Sequence, residues 1–548
     1  MKNFERLRSN LLLLLPLGGG ILMGLTPAPV EAWPLAWIAL VPLWLSVAFS
    51  QSICRSALYG FVWGLGYHGL ALFWITGIHP MDWMGVPRLA SVAIAFFCWS
   101  FITLWGACYV TIWAVSMSAI LLDRKKAKIN KEKQTNFSFF TLNFKFLNTL
   151  VNVLLGSALW CGLEALWSTG SLYWTSLSYT QSPHNLVILH LGQLSGSLTV
   201  TAVIVAVNGL IAEALVIQLR IKNEQLKSKS IPSSLNLKSA AYFSLAASLL
   251  IVSHLIGFNL YSRPLTATDG TTLRVGIIQG NIPNRIKLYP AGWRRAIEGY
   301  TSGYKRLADE GVEAVLTPET ALPFLWDEQV SNRSSFYSAI LAKGIPAWVG
   351  ALGQEGRSLT NSLFTVTGTG ETFSHYDKVK LVPLGEYIPF EQFLGRLIDR
   401  LSPLDAHLVA GKPNQIFETP FGRAIVGICY ESAFPEHFRR QAAAGGQFIL
   451  TASNNAHYSE TMPAQHHAQD VMRAVETDRW AVRATNTGYS AIVDPHGKTQ
   501  WISGINTYEI HAATVYKRQT QTLYVRWGDW LTPSLLGLAI ICWFIFRR

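Results

Sequence analysis

Charge is scarce in this sequence. Only 14% of its 548 residues are Asp, Glu, Lys or Arg, whereas half are apolar and 20 are tryptophan. A soluble domain of average composition is therefore excluded, and the positive mean hydropathy of +0.25 agrees. Cysteine is also sparse: of six, Cys54, Cys98, Cys108, Cys161 and Cys542 lie in or beside long apolar runs, which leaves Cys429 without a disulfide partner in its own part of the chain. There is no internal repeat and no long low-complexity segment; the Lys-rich stretches are short linkers. The net charge of +12 is gathered in runs beside the apolar segments, a pattern of membrane topology signals and anionic headgroup contact rather than of nucleic-acid binding.

What is abundant is apolar sequence of bilayer-spanning length. Runs occupy 11–25, 33–49, 57–78, 89–122, 150–167, 189–219, 240–260 and 531–546, most near or above the roughly 20 residues a span requires, the first and last short. Lys2, Arg6 and Arg8 before the first run, with Ala28-Pro29-Val30-Glu31-Ala32 after it, have the look of a secretion signal. Because so many runs follow, the segment is read as a retained anchor. A cytoplasmic N-terminus predicts basic loops after even-numbered spans. Arg55 follows the second run, Arg124, Lys125, Lys126, Lys128, Lys131 and Lys133 the fourth, Arg220, Lys222, Lys227 and Lys229 the sixth, and Arg547 and Arg548 the last. The loops 77–84 and 169–184 carry almost none, so parity places residues 263–529 outside the cytoplasm. The expected organisation is a transmembrane domain of about seven spans over 1–262, an outer domain over 263–529, and a closing span over 530–548.

Within 263–529 the apolar runs shorten to strand length at 273–279, 314–316, 347–352, 362–367, 424–428, 448–450 and 490–493. Amphipathic stretches of helical length alternate with them at 293–308, 334–343, 435–444 and 465–481. That alternation predicts a layered α/β fold. Cys429 falls on a turn between the strand ending at Ile428 and the helix opening at Pro435, where a thiol can be presented for attack. The alternative is a buried core cysteine, the commoner fate of a free thiol. A lone thiol in an oxidising compartment is a liability unless buried or used. A nucleophilic one needs a base and a cationic or N–H environment for an oxyanion. Glu319 in Thr317-Pro318-Glu319-Thr320 and Lys378 in Tyr376-Asp377-Lys378 offer these, although each alone would pass for a solvated charge. His457, His466 and His467 lack a carboxylate or Cys at ligand spacing, so no metal and no cofactor is expected.

Pro318-Glu319-Thr320, the run from Tyr376 to Pro389, and Gly427-Ile428-Cys429-Tyr430-Glu431 together resemble the Glu–Lys–Cys elements of the nitrilase, or carbon–nitrogen hydrolase, superfamily. Spans before the domain and one after it are similar to one branch, the apolipoprotein N-acyltransferases. The likeness extends to Gln279-Gly280-Asn281-Ile282-Pro283 and Arg483-Ala484-Thr485-Asn486-Thr487-Gly488. It implies about eight spans carrying an extracytoplasmic nitrilase-like α/β sandwich in a bacterial cytoplasmic membrane. It also implies a monomer that moves an acyl chain from a phospholipid donor to a diacylglyceryl-modified apolipoprotein. In that reading Glu319 is the base, Lys378 the oxyanion partner together with the Tyr430 N–H, and Cys429 the nucleophile. Glu386 orients Lys378 or Glu319, and Tyr430 and Glu431 shape the site. Tyr387 and Phe390 belong to an apolar stretch, 385–408, that either dips into lipid or forms an internal core. The sequence departs from the family's usual pattern at Asn454-Asn455-Ala456-His457-Tyr458 and at Leu288, both at the expected mouth of the site. Two rivals remain: a tethered amidase, in which water takes the acyl group, and a transporter or receptor, for which Glu164 and Glu213 are the clear intramembrane charges.

Overall fold

The computed structural model describes residues 2–132, 141–225, 233–265, 270–327, 334–383, 385–387, 408–456 and 458–547. Phe390, most of the expected lip, and His457 lie outside these residues. The first half of the chain is helical. Four helices combine the length and apolarity needed to cross a membrane: Arg88–Arg124, Leu147–Thr169, Ser197–Lys222 and Leu237–Tyr261. The other apolar runs differ from simple spans. Residues 33–49 form a 3-10 turn, Trp33–Trp37, and a nine-residue helix, Val41–Phe49, each entered by a proline in its first turn. The third run ends its helix, Ile53–Ala71, before a separate 3-10 segment Phe73–Ile78. The sixth opens with two short helices, Leu186–Leu189 and Gly192–Ser195, before Ser197–Gln225 begins.

Burial separates these helices by role. Within the most apolar window, 72% of Ser197–Lys222 is buried, against 22% for both Arg88–Arg124 and Leu237–Tyr261, so the first is the central post and the others lie at the periphery. Small residues let the post close on its neighbours. The Trp44 ring fills the space over Gly156 and Gly209, where an added Cβ would lie 2.2 and 2.8 Å from it. Glu213 accepts from the Trp44 indole at 3.3 Å. Glu164 accepts from Trp160, Ser176 and Thr201. Each buried carboxylate is thus held by neutral donors within the helix packing.

The second half is a sandwich of two sheets. The first contains β1 (Thr272–Gln279), β2 (Ala314–Leu316), β3 (Leu322–Leu325), β4 (Ala347–Glu355), β5 (Ser358–Val366) and β6 (Thr372–Asp377). The second contains β7 (Phe417–Thr419), β8 (Gly422–Ile428), β9 (Phe448–Ser453), β10 (Ala481–Thr485), β11 (Ala491–Val493) and β12 (Thr499–Ile502). A last strand, β13 (Glu509–Tyr516), returns to the first sheet, whose order is β13-β1-β2-β4-β5-β6 with β3 paired to β4. The second sheet runs β12-β11-β10-β9-β8-β7. The central pairings β1–β2, β2–β4, β8–β9 and β9–β10 are parallel.

Alternation along the strands builds the layers. Leu273, Val275 and Ile277 of β1 meet Ala424, Val426 and Ile428 of β8 between the sheets. Ile278, Val315 and Val349 face the other way, onto the helices Pro290–Asp309 and Ser335–Lys343. On the far side Ile425 and Ile449 pack under the helices Pro435–Ala443 and Thr461–Thr477, and that core runs without a break into Trp44, Ile188 and Leu189 of the first half. The helix Thr461–Thr477 is consequently buried along its whole length from Gln465 onward. Gln465 uses every hydrogen-bonding position on its amide there. Its oxygen accepts from Trp74 and Trp174 at 3.2 and 2.8 Å, and its nitrogen donates to Ala28 O and Ala71 O at 3.1 and 2.9 Å.

Candidate active site

β8 delivers Cys429 to the start of the 3-10 turn Cys429–Ala433, in the strand-to-helix position that the sequence predicts. The turn is sharp: Cys429 has φ +52°, a left-handed conformation that costs a non-glycine residue about 1–3 kcal/mol. The glycine before it is required by packing, because a Cβ at Gly427 would lie 2.4 Å from the Phe438 ring. Cys429 is only 7% exposed as a residue, so the expectation of an open thiol on the turn is corrected.

The turn is stapled by Glu431. Its carboxylate is fully buried and accepts from Ile428 N at 2.7 Å, from Val379 N and Lys380 N at 2.6 and 3.1 Å, and from the Tyr376 hydroxyl at 2.9 Å. One side chain thereby fixes the backbone on both sides of the site. Tyr430 points away from the sandwich, donating to Ser171 O and Tyr173 O at 2.8 and 2.9 Å and stacking on Trp174 with ring centroids 6.1 Å apart. Burial, and then nearby Tyr387, push its phenol up; Tyr387 itself is half-buried.

Glu319 and Lys378 arrive from the first sheet. Glu319 follows β2 on a turn whose next residue, Thr320, has φ +44°. Gly350 on β4 leaves that turn its space: a Cβ there would lie 1.9 Å from Pro318 O. Lys378 follows β6 and is pinned by its N–H on Asn361 O at 2.8 Å. Its ammonium donates to Glu319 Oε1 at 2.9 Å and to Glu386 at 2.9–3.0 Å. Asn361, on β5, donates to both carboxylates, at 2.7 Å to Glu319 and 2.8 Å to Glu386. Glu386 therefore bonds Lys378 directly and is linked to Glu319 through both Lys378 and Asn361.

A second cation completes the group. Lys287, also buried, donates to Thr320 Oγ1 at 2.7 Å and to Glu319 O at 3.2 Å, behind the carboxylate. Burial alone would raise the Glu319 carboxyl, but Lys378 first, then Lys287 and Asn361, hold it below its ordinary value. Burial would likewise lower Lys378, yet Glu319 and Glu386 hold it well above the usual lysine range. Lys287, with less compensation for its burial, is pushed down to about 8. Burial, followed by the charge of Glu319, pushes the Cys429 thiol up to about 12, with Lys378 opposing. At rest the site thus contains a neutral thiol beside an ionised carboxylate and a fixed ammonium. The thiol proton can leave as attack begins, while Lys378 remains a donor for negative charge on the reacting oxygen.

The structure brings Glu319, Lys378, Glu386, Cys429, Tyr430 and Glu431 into one site with Tyr387 at its margin. Sequence reasoning did not single out Lys287 or Asn361, named Arg483 only within a run shared with the family, and weighed His466 as a metal ligand. His466 is instead fully buried and bonded to the Cys429 carbonyl at 2.7 Å. His467 bonds Thr499, and among the described residues no group of His, Cys, Asp and Glu could hold a metal ion.

Comparison with known proteins follows the same division. Residues 19–210 match the family model of the apolipoprotein N-acyltransferase N-terminal domain, and residues 274–520 match that of carbon-nitrogen hydrolase. An apolipoprotein N-acyltransferase from Nostoc sp. is 58% identical over 528 residues, covering 95% of this chain and 97% of that one. Another from Synechocystis sp. is 47% identical over 532 residues, covering 95% and 98%. Among solved structures, an amidase from Nesterenkonia sp. aligns with 50% of this chain and 100% of its own, at 20% identity and a TM-score of 0.36. Identity of this extent along nearly the entire length shows that the chain belongs to the apolipoprotein N-acyltransferase family.

Proposed function

We propose that the protein transfers an acyl chain from a membrane phospholipid to the α-amino group of the diacylglyceryl-modified N-terminal cysteine of an apolipoprotein. The observation that carries this reading is the convergence of Glu319, Lys378 and a buried, neutral Cys429 on a turn whose next residue, Tyr430, stacks on Trp174 of the first half. In the first step Glu319 accepts the thiol proton as Cys429 Sγ bonds to the ester carbonyl carbon, and Lys378 with the Tyr430 N–H stabilises the oxyanion. Collapse breaks the ester C–O bond, and Glu319 passes its proton to the departing lysophospholipid oxygen. A thioester remains. In the second step the amine attacks the thioester carbonyl, Glu319 takes the amine proton, the C–S bond breaks, and the proton returns to Sγ. The product is an amide, with no net change at the site.

An aromatic cluster beside this turn suits substrates that stay in the bilayer. Trp74, Tyr173, Trp174, Phe434 and Met462 form one apolar cluster joining both halves beside Tyr430 and Tyr458. In this reading Tyr387 and Phe390 bind the acyl substrate. The chain passes the membrane about eight times. Residues 1–262 and 530–548 are the membrane part, and 263–529 lie on the extracytoplasmic face of the bacterial cytoplasmic membrane, as the distribution of Lys and Arg between loops implies.

The decisive test withholds the acceptor. Wild-type protein incubated with labelled phospholipid gains one acyl group releasable by hydroxylamine, and Cys429→Ala gains none. Glu319→Gln loads slowly. Adding a diacylated peptide with a free N-terminal cysteine amine then discharges the label into an amide. Discharge to water at the same rate without the peptide would favour the amidase reading, and absence of any loading would exclude the thioester.

A further inference from the structure

The strained Cys429 turn is held from behind by a residue that the acyl-transfer chemistry above does not use. His466 lies one residue past Gln465 on the helix Thr461–Thr477 and is fully buried. Its Nε2 is 2.7 Å from Cys429 O, and its Nδ1 is 2.8 Å from an Arg483 guanidinium nitrogen. A guanidinium has no acceptor, so Nδ1 must accept and the ring proton must be on Nε2, where it donates to the cysteine carbonyl. Arg483 is in turn paired with Asp470, which also accepts from Thr451 Oγ1 at 3.1 Å. Burial, followed by Arg483, pushes the His466 imidazole down to about 3, so its neutral form with one defined tautomer persists through the working range. Arg473 grips the far end of the same turn, donating to Ser432 O at 3.2 Å. The other side of the His466 ring meets Trp174, edge to face at 5.6 Å, and Trp174 is both a partner of Gln465 and the stacking surface of Tyr430.

We propose that His466 is a positioning residue for the nucleophile: an Nε2–H donor that fixes the Cys429 carbonyl and so keeps the turn in its left-handed conformation. This rests on the acyl-transfer reading for its effect on turnover, but not for its effect on the thiol. Fixing the carbonyl also fixes the peptide plane it shares with the Tyr430 N–H, the group assigned to the oxyanion. The ring takes and gives no proton. Released from His466, the turn relaxes to negative φ and the thiol swings from its buried place beside Glu319 and Lys378 toward water. Catalysis then falls while the thiol's simple chemical reactivity rises, because exposure removes the burial that keeps it protonated.

The test compares His466→Gln, whose amide nitrogen reaches the position of Nε2, with His466→Leu, which keeps bulk and removes the donor. Full-length proteins in detergent micelles with phospholipid are assayed for acyl transfer. Iodoacetamide labelling is followed on the Cys429-bearing peptide by mass spectrometry. For His466→Leu the expected result is a kcat lower by roughly 100-fold with KM unchanged, and faster alkylation of Cys429. For His466→Gln both rates remain near wild type, and the limbs of the pH–rate profile do not move. Loss in His466→Gln as deep as in His466→Leu, or a shifted pH limb, would assign the ring a proton-transfer role and overturn the proposal. So would unchanged kcat and alkylation in a folded His466→Leu. If the leucine variant does not fold, the glutamine variant decides alone. Failure of the wild type to load an acyl group would sink the acyl-transfer reading, whereas the alkylation comparison would still decide the role of His466.

Discussion

Lys378 and Lys287 illustrate how two identical side chains acquire different work from their surroundings. Lys378 faces two carboxylates and keeps its charge; Lys287 has one carboxylate near it and is pushed down to about 8. Lys378→Arg would replace a compact ammonium with a wide planar fork where Glu319, Glu386 and Asn361 already fill the space, so activity should drop at least about 100-fold with folding retained. Steady-state kinetics alongside a thermal melt check this. Lys287→Met removes one of the cations holding Glu319 down. The folded pKa of Glu319 lies below its ordinary 4.5, so the stabilisation it provides is complete above that value and is lost as pH falls through the lower, folded one. Without Lys287 the folded pKa rises, and the acid limb of kcat/KM should move to higher pH than in the wild type; an unmoved limb would mean Lys287 is not coupled to the base. Glu319, Lys378 and Cys429 were legible in the sequence because each is embedded in a short run with a distinctive order. Lys287 and Asn361 were not, since a single Lys after a strand or Asn within one has no local mark, and their partners are 32 and 42 residues away.

At the scale of elements the site depends on two close approaches between backbone and neighbour. Gly350→Ala would drive a Cβ into Pro318 O from the middle of β4, costing about 1–3 kcal/mol of stability and displacing the turn that carries Glu319. A lower melting temperature together with a fall in kcat is expected, and a normal kcat would show that the turn yields freely. Glu431→Gln turns one acceptor oxygen into a donor facing backbone N–H groups, a loss on the order of 2–3 kcal/mol. It should uncouple the Cys429 turn from the Lys378 loop, seen as lower thermal stability and reduced acyl loading. The main helices of the sandwich and strands β1, β2, β4, β5, β8, β9 and β11 were readable from period and length, whereas β3, β6, β7, β10, β12 and β13 were not; the helix expected at 465–481 is found at Thr461–Thr477, ended by Asp478 in a left-handed cap. The apolar runs were read less well. Hydropathy counts apolar residues but does not register the breaks at Leu72 and Gly196, which divide two long runs into shorter helices.

For the whole molecule, topology is the open measurement. Reporters fused after Leu122 and after Leu219 should read cytoplasmic, and one within 301–353 should read outside; an inside signal from the last would overturn the loop-charge argument. The continuous core from Ile449 through Val471 to Ile188 and Trp44 means that residues 263–529 expressed alone would expose an entire helix face. Such a fragment should aggregate or need detergent, which light scattering or gel filtration would register. The amide of Gln465 carries this argument further. Its four hydrogen bonds reach segments around Ala28, Ala71, Trp74 and Trp174, 291 to 437 residues away in the chain. Any recombination that exchanges the catalytic half between relatives must therefore carry compatible partners at those positions in the same event. The unit that can be inherited or grafted intact is the full pairing, and a chimera cut near residue 263 tests at a single amide whether two lineages still fit.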